Sequence, residues 1–459
     1  MLATLKDILR QAWPVLVSSW AGIAFGVMDT AMAGHAGPMD LQAMALAVSI
    51  YITVFVGLMG VVHALIPTIA QHYGAGRLNE AGRAWGQGVW LVLGLSLAGC
   101  LLLLFPDPWL AFSGDITPPV RERIRHYLQA LAVALPAALL FRTIYSAGTA
   151  TSRPKPVMFI NLASVGVKLL FNWVFIFGNL GAPALGAVGA GVSTALVSWL
   201  TLAAGLWVVS HDRHFRKLQL RIGRPCWADQ KALLRLGLPM GGSYLIEVGA
   251  FTFMALLIAR EGMFVTGGHQ IMGNLAALSY MMPMALGIAS ASLTAQAIGA
   301  ADRDRALATG RAGLTLVLTG SLLTATAIIA FKPWILSAYT SDAQVALVAA
   351  ALLQLLPLFH VCDSLQCMGC YLLRAYKVAV VPLVMQIVAL TGLGLVGGWW
   401  LAYGSGAGRL APVIDSLAPG APTGAATMWL MAALGLAVSA ALLLVWYGVV
   451  SRRHDWAGR

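Results

Sequence analysis

The sequence predicts an all-α polytopic membrane protein of twelve transmembrane helices arranged as two parallel six-helix repeats, and three observations carry that prediction. Of 459 residues, 59% are hydrophobic and only 10% are charged, against roughly 25% charged residues in soluble domains. The apolar residues fall in runs of about 20, long enough for a helix to cross ~30 Å of hydrocarbon with its backbone hydrogen bonds satisfied internally. The chain also repeats itself. Pro14 and Pro239 each lie four residues after an arginine, Arg10 or Arg235, and Ala70-Gln71 with Gly74-Ala75 recurs as Ala295-Gln296 with Gly299-Ala300, all at an offset of 225.

The first half places crossings at 11–34, 43–66, 86–105, 126–148, 157–178 and 186–209. The first runs directly toward the second with no small-residue cleavage pattern, and so reads as an uncleaved anchor. The third follows Arg77 and Arg83, the fourth follows Arg121, Arg123 and Arg125, and the fifth follows Arg153 and Lys155. A basic connection, 211–234, leads to crossings at 235–260, 269–296, 307–331, 345–371, 378–402 and 425–450. The expected domains are therefore a lobe over 1–210, a connecting loop over 211–234 and a second lobe over 235–459. Six crossings is an even number, so both lobes enter from the same side, the plan of transporters whose substrate passes between parallel repeats.

The net charge of +12 has to be read by sidedness. With these crossings, 21 of the 29 Lys and Arg residues, among them seven from Arg213 to Arg235, fall on one side and six on the other. The positive-inside rule makes that side the cytoplasm and puts both termini there. Topology thus explains the basic excess, and no nucleic-acid partner is expected. No Walker loop, dinucleotide fingerprint or zinc ligand set is present, so the chain calls for no cofactor and for an energy source other than bound ATP. Cys100, Cys362, Cys367 and Cys370 fall within crossings and Cys226 in the cytoplasmic connection, positions that do not favour disulfides. The Cys367-x-x-Cys370 pair reads as packing residues.

A charge at mid-membrane costs at least about 2.5–3.5 kcal/mol, so each one needs a partner, a wet cavity or a role. Five stand out: Asp29, Arg142, Lys168, Glu247 and Asp363. Glu247 and Asp363 lie deep in crossings 7 and 10, with no basic residue expected at that depth in the same half. Such a pair suits a cation, whether a metal ion, a proton or an organic ammonium. Around them stand Phe251, Phe253, Met254, Tyr280, Met281, Met282 and Met284, aromatic and thioether side chains able to repack around flat apolar cations. In the first half, Lys168 and Asn172 are four apart on one helix face, Thr194 adds a hydroxyl from crossing 6, and Asp29 is the natural partner of Lys168. Arg142 reads as structural.

Several segments together resemble the MATE family, in its NorM-like branch: Pro14, Asp29-Thr30-Ala31-Met32-Ala33-Gly34, Ala70-Gln71 with Gly74-Ala75, Asn172 with Phe175-Ile176-Phe177-Gly178, Gly181-x-Pro183-x-Leu185-Gly186, and the Glu247 and Asp363 helices. The resemblance covers essentially the whole chain. It implies a V-shaped pair of lobes in the bacterial inner membrane that export cationic, lipophilic drugs and dyes in exchange for inward Na+ or H+, with no obligatory protein partner and no enzymatic activity. Asp29, Asn172 and Thr194 match the family's first-lobe polar cluster. Glu247 and Asp363 match its second-lobe acidic pair, the position for Na+. Two residues depart: Lys168 stands where relatives tend to have asparagine, and Phe359, one turn before Asp363, where they tend to have tyrosine. An ammonium repels sodium beside Asp29, and a lost phenol removes an oxygen from the second site. A lipid-linked precursor flippase of the same superfamily is the alternative, though it would want a basic cavity. An intramembrane enzyme is more remote, since neither Gly-x-Ser-x-Gly nor a His-rich metal set is present.

Overall fold

The computed structural model describes residues 2–110, 117–454 and 456; Arg459, one of the basic residues assigned to the cytoplasmic side, lies outside them. Among the described residues, eleven helices are long and apolar enough to span a bilayer: α1 (Leu2–Ala36), α2 (Pro38–Gly74), α3 (Leu78–Leu104), α4 (Pro118–Ala150), α5 (Lys155–Phe177), α6 (Ala187–His211), α7 (Trp227–Glu261), α8 (Met263–Gly299), α9 (Arg303–Ala330), α11 (Val380–Tyr403) and α12 (Thr423–Arg453). The twelfth, α10, is a pair, Ala343–Leu352 and Leu356–Ala375, bent by 52°. Most of these helices run past the limits set by hydrophobicity, because helical hydrogen bonding continues into water after the apolar stretch has ended.

Hydrophobicity alone makes crossings 2 and 10 continuous, and both are interrupted. The α2 span breaks at His63–Ala64 and α10 at Leu353–Leu355. Proline explains both. Its ring clashes with the carbonyl four residues earlier and it carries no N–H. Pro67 stands four residues after His63, and Pro357 four after Leu353. A third irregularity lies in α11, where residues Ile387–Gly397 adopt the wider π-helical winding. There Gly394 lies against α12, and a Cβ on the facing Gly435 would meet the Ala389 carbonyl at 2.6 Å, so small residues let these two helices approach closely.

The chain forms two compact units, Trp13–Gly241, and Gly242–Arg459 together with Met1–Ala12. In the first, α4 is the central helix, with Leu128, Leu131, Leu135 and Leu139 almost fully enclosed. The second is built around α8, α10 and α12, with Phe359 and Trp429 at the heart of its apolar cluster. The opening turns of α1 belong to this second unit, where Gln11 Nε2 donates to Ser292 Oγ at 3.3 Å. Large apolar side chains, including Trp20, Leu97, Phe159, Trp199, Leu323 and Val445, face outward, the surface expected of a chain solvated by lipid.

The start of α6 is fixed by a glycine turn and a carboxylate cap. Gly186 precedes the helix with φ +56°, and a Cβ there would run into the Asp40 carboxylate. Asp40 Oδ1 accepts the Ala187 N–H at 3.0 Å and so caps α6, while its Oδ2 receives Arg123 Nη1 at 2.7 Å. We expect Gly186→Ala to destabilise the protein by about 1–3 kcal/mol, through the disfavoured backbone conformation and the displaced cap. Thermal unfolding of the purified protein in detergent checks this, and an unchanged midpoint would contradict it.

Candidate functional site

In the first unit the structure brings α1, α5 and α6 together around one ammonium. Lys168 sits on α5 with its side chain fully enclosed, and its Nζ donates to Asp29 Oδ1 at 2.9 Å, Thr194 Oγ1 at 2.6 Å and the Ala190 carbonyl at 3.0 Å. An ammonium has three N–H bonds, and all three are used. Asn172, one turn along α5, donates from Nδ2 to the same Asp29 oxygen at 2.7 Å, while its own Oδ1 is buried with no hydrogen-bond partner. Thr194 keeps its hydroxyl hydrogen on the Ala190 carbonyl at 2.9 Å, leaving an oxygen lone pair for the lysine. A carboxylate, a hydroxyl and a carbonyl are the oxygens a hard cation would seek, and here a tethered ammonium occupies them. Arg142, in the same unit, lies over the rings of Phe55 and Tyr145 at 5.8 and 5.4 Å, a cation–π stack that suits the structural role expected of it.

The second unit treats its charges differently. Asp363, on the second segment of α10, is buried with Oδ1 lacking any hydrogen-bond partner. Glu247 on α7 lies within electrostatic reach of it and receives a hydrogen bond from Tyr280. Glu247, Phe251, Met254 and Phe359 share a cavity of ≈ 30 Å³ with Leu390, Gly394 and Leu395 of α11 and with Met428, Ala432 and Leu436 of α12. That space suits a small ion or one or two waters and is too small for a drug-sized molecule. Phe359 packs edge-on against Phe251 at 5.7 Å and Trp429 at 5.0 Å, forming an aromatic wall. Of the sequence-derived lining residues, Phe251, Met254 and Phe359 line the cavity; Tyr280 meets Glu247 by its hydroxyl, and Met284 is not among the lining residues. Phe253 turns outward and is 60% exposed.

The sequence puts Arg374 among the loop charges just past crossing 10, and the structure places it in the last turn of α10, where it is nonetheless buried and its charge reaches Glu247. Its guanidinium lies 4.8 Å from the ring centres of both Tyr244 and Tyr371, Nη1 donates to Tyr244 Oη at 3.1 Å, and the two phenol oxygens are 2.7 Å apart. Helical spacing held the missed signal. Asp363, Cys367, Tyr371 and Arg374 succeed one another at intervals of four, four and three, and so share one face of α10. Trp429 was also missed, because α12 carries no charge at mid-membrane to draw attention to it.

Comparison with known proteins follows the same two-part plan. The MatE family model matches twice, over residues 14–174 and again over 239–400. The chain belongs to the MatE family. This is a family of transporters, not of enzymes, and the protein is accordingly a multi-pass membrane transporter with bacterial relatives. A probable multidrug resistance protein NorM of Aromatoleum aromaticum is 37% identical over 398 residues, 86% of each chain. One from Neisseria meningitidis serogroup B is 33% identical over 410 residues, 88% of each. Among solved structures, the eukaryotic MATE transporter AtDTX14 superposes with a TM-score of 0.86 at 18% identity, covering 99% of this chain and 97% of that one. At that identity the likeness is one of fold alone.

The enclosed ion pair leads to a stability prediction. Asp29→Asn strands the Lys168 ammonium and should cost about 3–5 kcal/mol, while adding Lys168→Met should recover most of that loss. A double-mutant cycle by unfolding in detergent tests the coupling, and additive effects would show that the two side chains act independently.

Proposed function

We propose that this transporter is a multidrug efflux antiporter of the bacterial inner membrane, with both termini cytoplasmic, exporting lipophilic organic cations by alternating access in exchange for inward H+ or Na+. Residues 1–210 and 235–459 act as the two lobes and 211–234 as the cytoplasmic connection. The names of the NorM relatives support the multidrug reading. The observation that carries the cationic cargo is the Glu247–Asp363 pair, two carboxylates within electrostatic reach of each other, of which Glu247 lines a cavity with Phe251, Phe359 and Met254. Acids supply the field a cation needs, and aromatic faces and thioethers accept apolar cations of varied shape. The small cavity belongs to this one conformation, and cargo binding calls for the wall to repack. No protein partner is required.

For coupling, the reading assigns protons to Asp29 and Lys168, and any sodium dependence to Glu247 and Asp363. Lys168 already fills the oxygen positions of the first unit, so a sodium ion there would have to expel a covalently attached cation. A proton on Asp29 needs no such space. It cancels the attraction, releases the ammonium and lets α1 and α5 repack.

Glu247→Gln and Asp363→Asn should each abolish dye efflux from an efflux-deficient host at normal expression. Wild-type efflux by both variants would remove the acidic pair from the mechanism. In proteoliposomes without sodium, an inward proton gradient should drive cation export by the wild type, and Lys168→Asn should shift the pH dependence. Transport that runs on sodium alone, with neither the pH profile nor the sodium affinity altered by Lys168→Asn, would overturn the coupling assignment.

A further inference from the structure

A second cavity, ≈ 380 Å³, lies in the first unit where the loop after α6 folds back over the start of α3. It is lined by Asn79, Arg83, Gln87, Gln219, Arg221, Gly223 and Arg224. The loop forming its wall is held tightly. Gly82 and Gly86 of α3 lie under the backbone of Leu218–Ile222 so closely that a Cβ on either would strike a loop carbonyl. The buried Gln87 side chain donates to the Arg224 carbonyl at 2.9 Å and accepts the Cys226 N–H at 2.9 Å, and Trp90 Nε1 donates to the Gly223 carbonyl at 2.8 Å.

Three arginines and three amide side chains thus face one basin, and no carboxylate lines it. Asp229, nearby, pairs with Arg83 at 2.9 Å. Among the described residues, Arg221 and Arg224 form no ion pair. Fork-shaped guanidinium donors beside amide N–H groups match the oxygens of a phosphate. The surroundings decide what carries that phosphate. Trp90, Ile222 and Trp227 are 38%, 58% and 75% exposed, and α3 continues from the basin as an apolar span. Exposed tryptophan beside basic side chains at the end of a span marks the headgroup level of a bilayer.

We propose that this basin binds the phosphate of an anionic phospholipid, with Arg221 and Arg224 as the specific contacts and the acyl chains lying along α3 beside Trp90. With the 211–234 connection on the cytoplasmic side, the lipid belongs to the inner leaflet. Occupancy would clamp the loop to the membrane surface, independently of which ion or cargo the transporter uses.

Native mass spectrometry of the full chain, delipidated and then exposed to equal amounts of phosphatidylglycerol and phosphatidylethanolamine, tests this without reference to sidedness or transport. The wild type should retain phosphatidylglycerol preferentially. R221Q combined with R224Q, both exposed loop positions, should bind it about tenfold more weakly. R221K with R224K should fall between the two, and R303Q with R305Q, which removes equal charge elsewhere, should match the wild type. Equal retention of the two lipids, unchanged binding by the R221Q/R224Q protein, or equal loss in the R303Q/R305Q control would overturn the proposal. Displacement of phosphatidylglycerol by micromolar inorganic phosphate would overturn the lipid source and leave a soluble phosphate compound as the ligand. Should R221Q/R224Q fail to fold, the lysine pair and the wild-type headgroup preference decide the outcome.

Discussion

A charged group enclosed by apolar helices must find every hydrogen-bond partner it needs among its neighbours, and in the first unit the Lys168 ammonium imposes this on three elements at once. Its three acceptors lie on α1 and α6 while the lysine itself rides on α5, so the axial register of each helix is tied to the others. Much of the local architecture serves this point. The Gly186 turn and the Asp40 cap fix where α6 begins, and thereby set the height of Ala190 and Thr194. Asn172 orients the Asp29 carboxylate from the remaining side.

The duplicated halves resolve the same problem in opposite ways. Between α5 and α11 the repeat runs at an offset of 226, which pairs Pro156 with Pro382, Trp173 with Trp399 and Gly178 with Gly404. At that offset Lys168 corresponds to Gly394, which lines the cavity beside Glu247. One unit carries its own cation on a side chain, whereas the other has no side chain at that position and leaves an Asp363 oxygen unsatisfied. The Arg374, Tyr244 and Tyr371 cluster brings a positive charge within reach of Glu247. At the offset of 222 that aligns Lys155 with Lys377, and the offset of 225 that aligns Pro14 with Pro239, its counterparts in the first unit are Ser152, Thr149 and Ser19, which cannot form such a stack. An ancient repeat has thus diverged at the positions that handle charge, while its helical frame is shared.

Twelve spans, their duplication and five charged residues within those spans were legible in the sequence because hydrophobic length and the cost of burying charge act locally along the chain. The breaks in α2 and α10 were signalled by Pro67 and Pro357, yet hydropathy averages over about 20 residues and smooths such breaks away. The residues grouped with Asp29 followed from helical spacing and charge complementarity. The burial of Arg374 escaped because it depends on the α7 and α10 tyrosines that enclose the guanidinium, which a position near a helix end does not reveal.

By itself, then, the sequence determined that the chain lies in a membrane, how often it crosses, and which side chains are too costly to be there without a purpose, since each follows from transfer free energies of residues taken in order. Only the tertiary structure decided how the partners meet. That Lys168 saturates its three donors, that Asp363 keeps an oxygen bare, and that Arg221 and Arg224 share a basin with Arg83 are all matters of which helix faces which. Those depend on packing between segments tens or hundreds of residues apart, where turn geometry and close glycine contacts set the register.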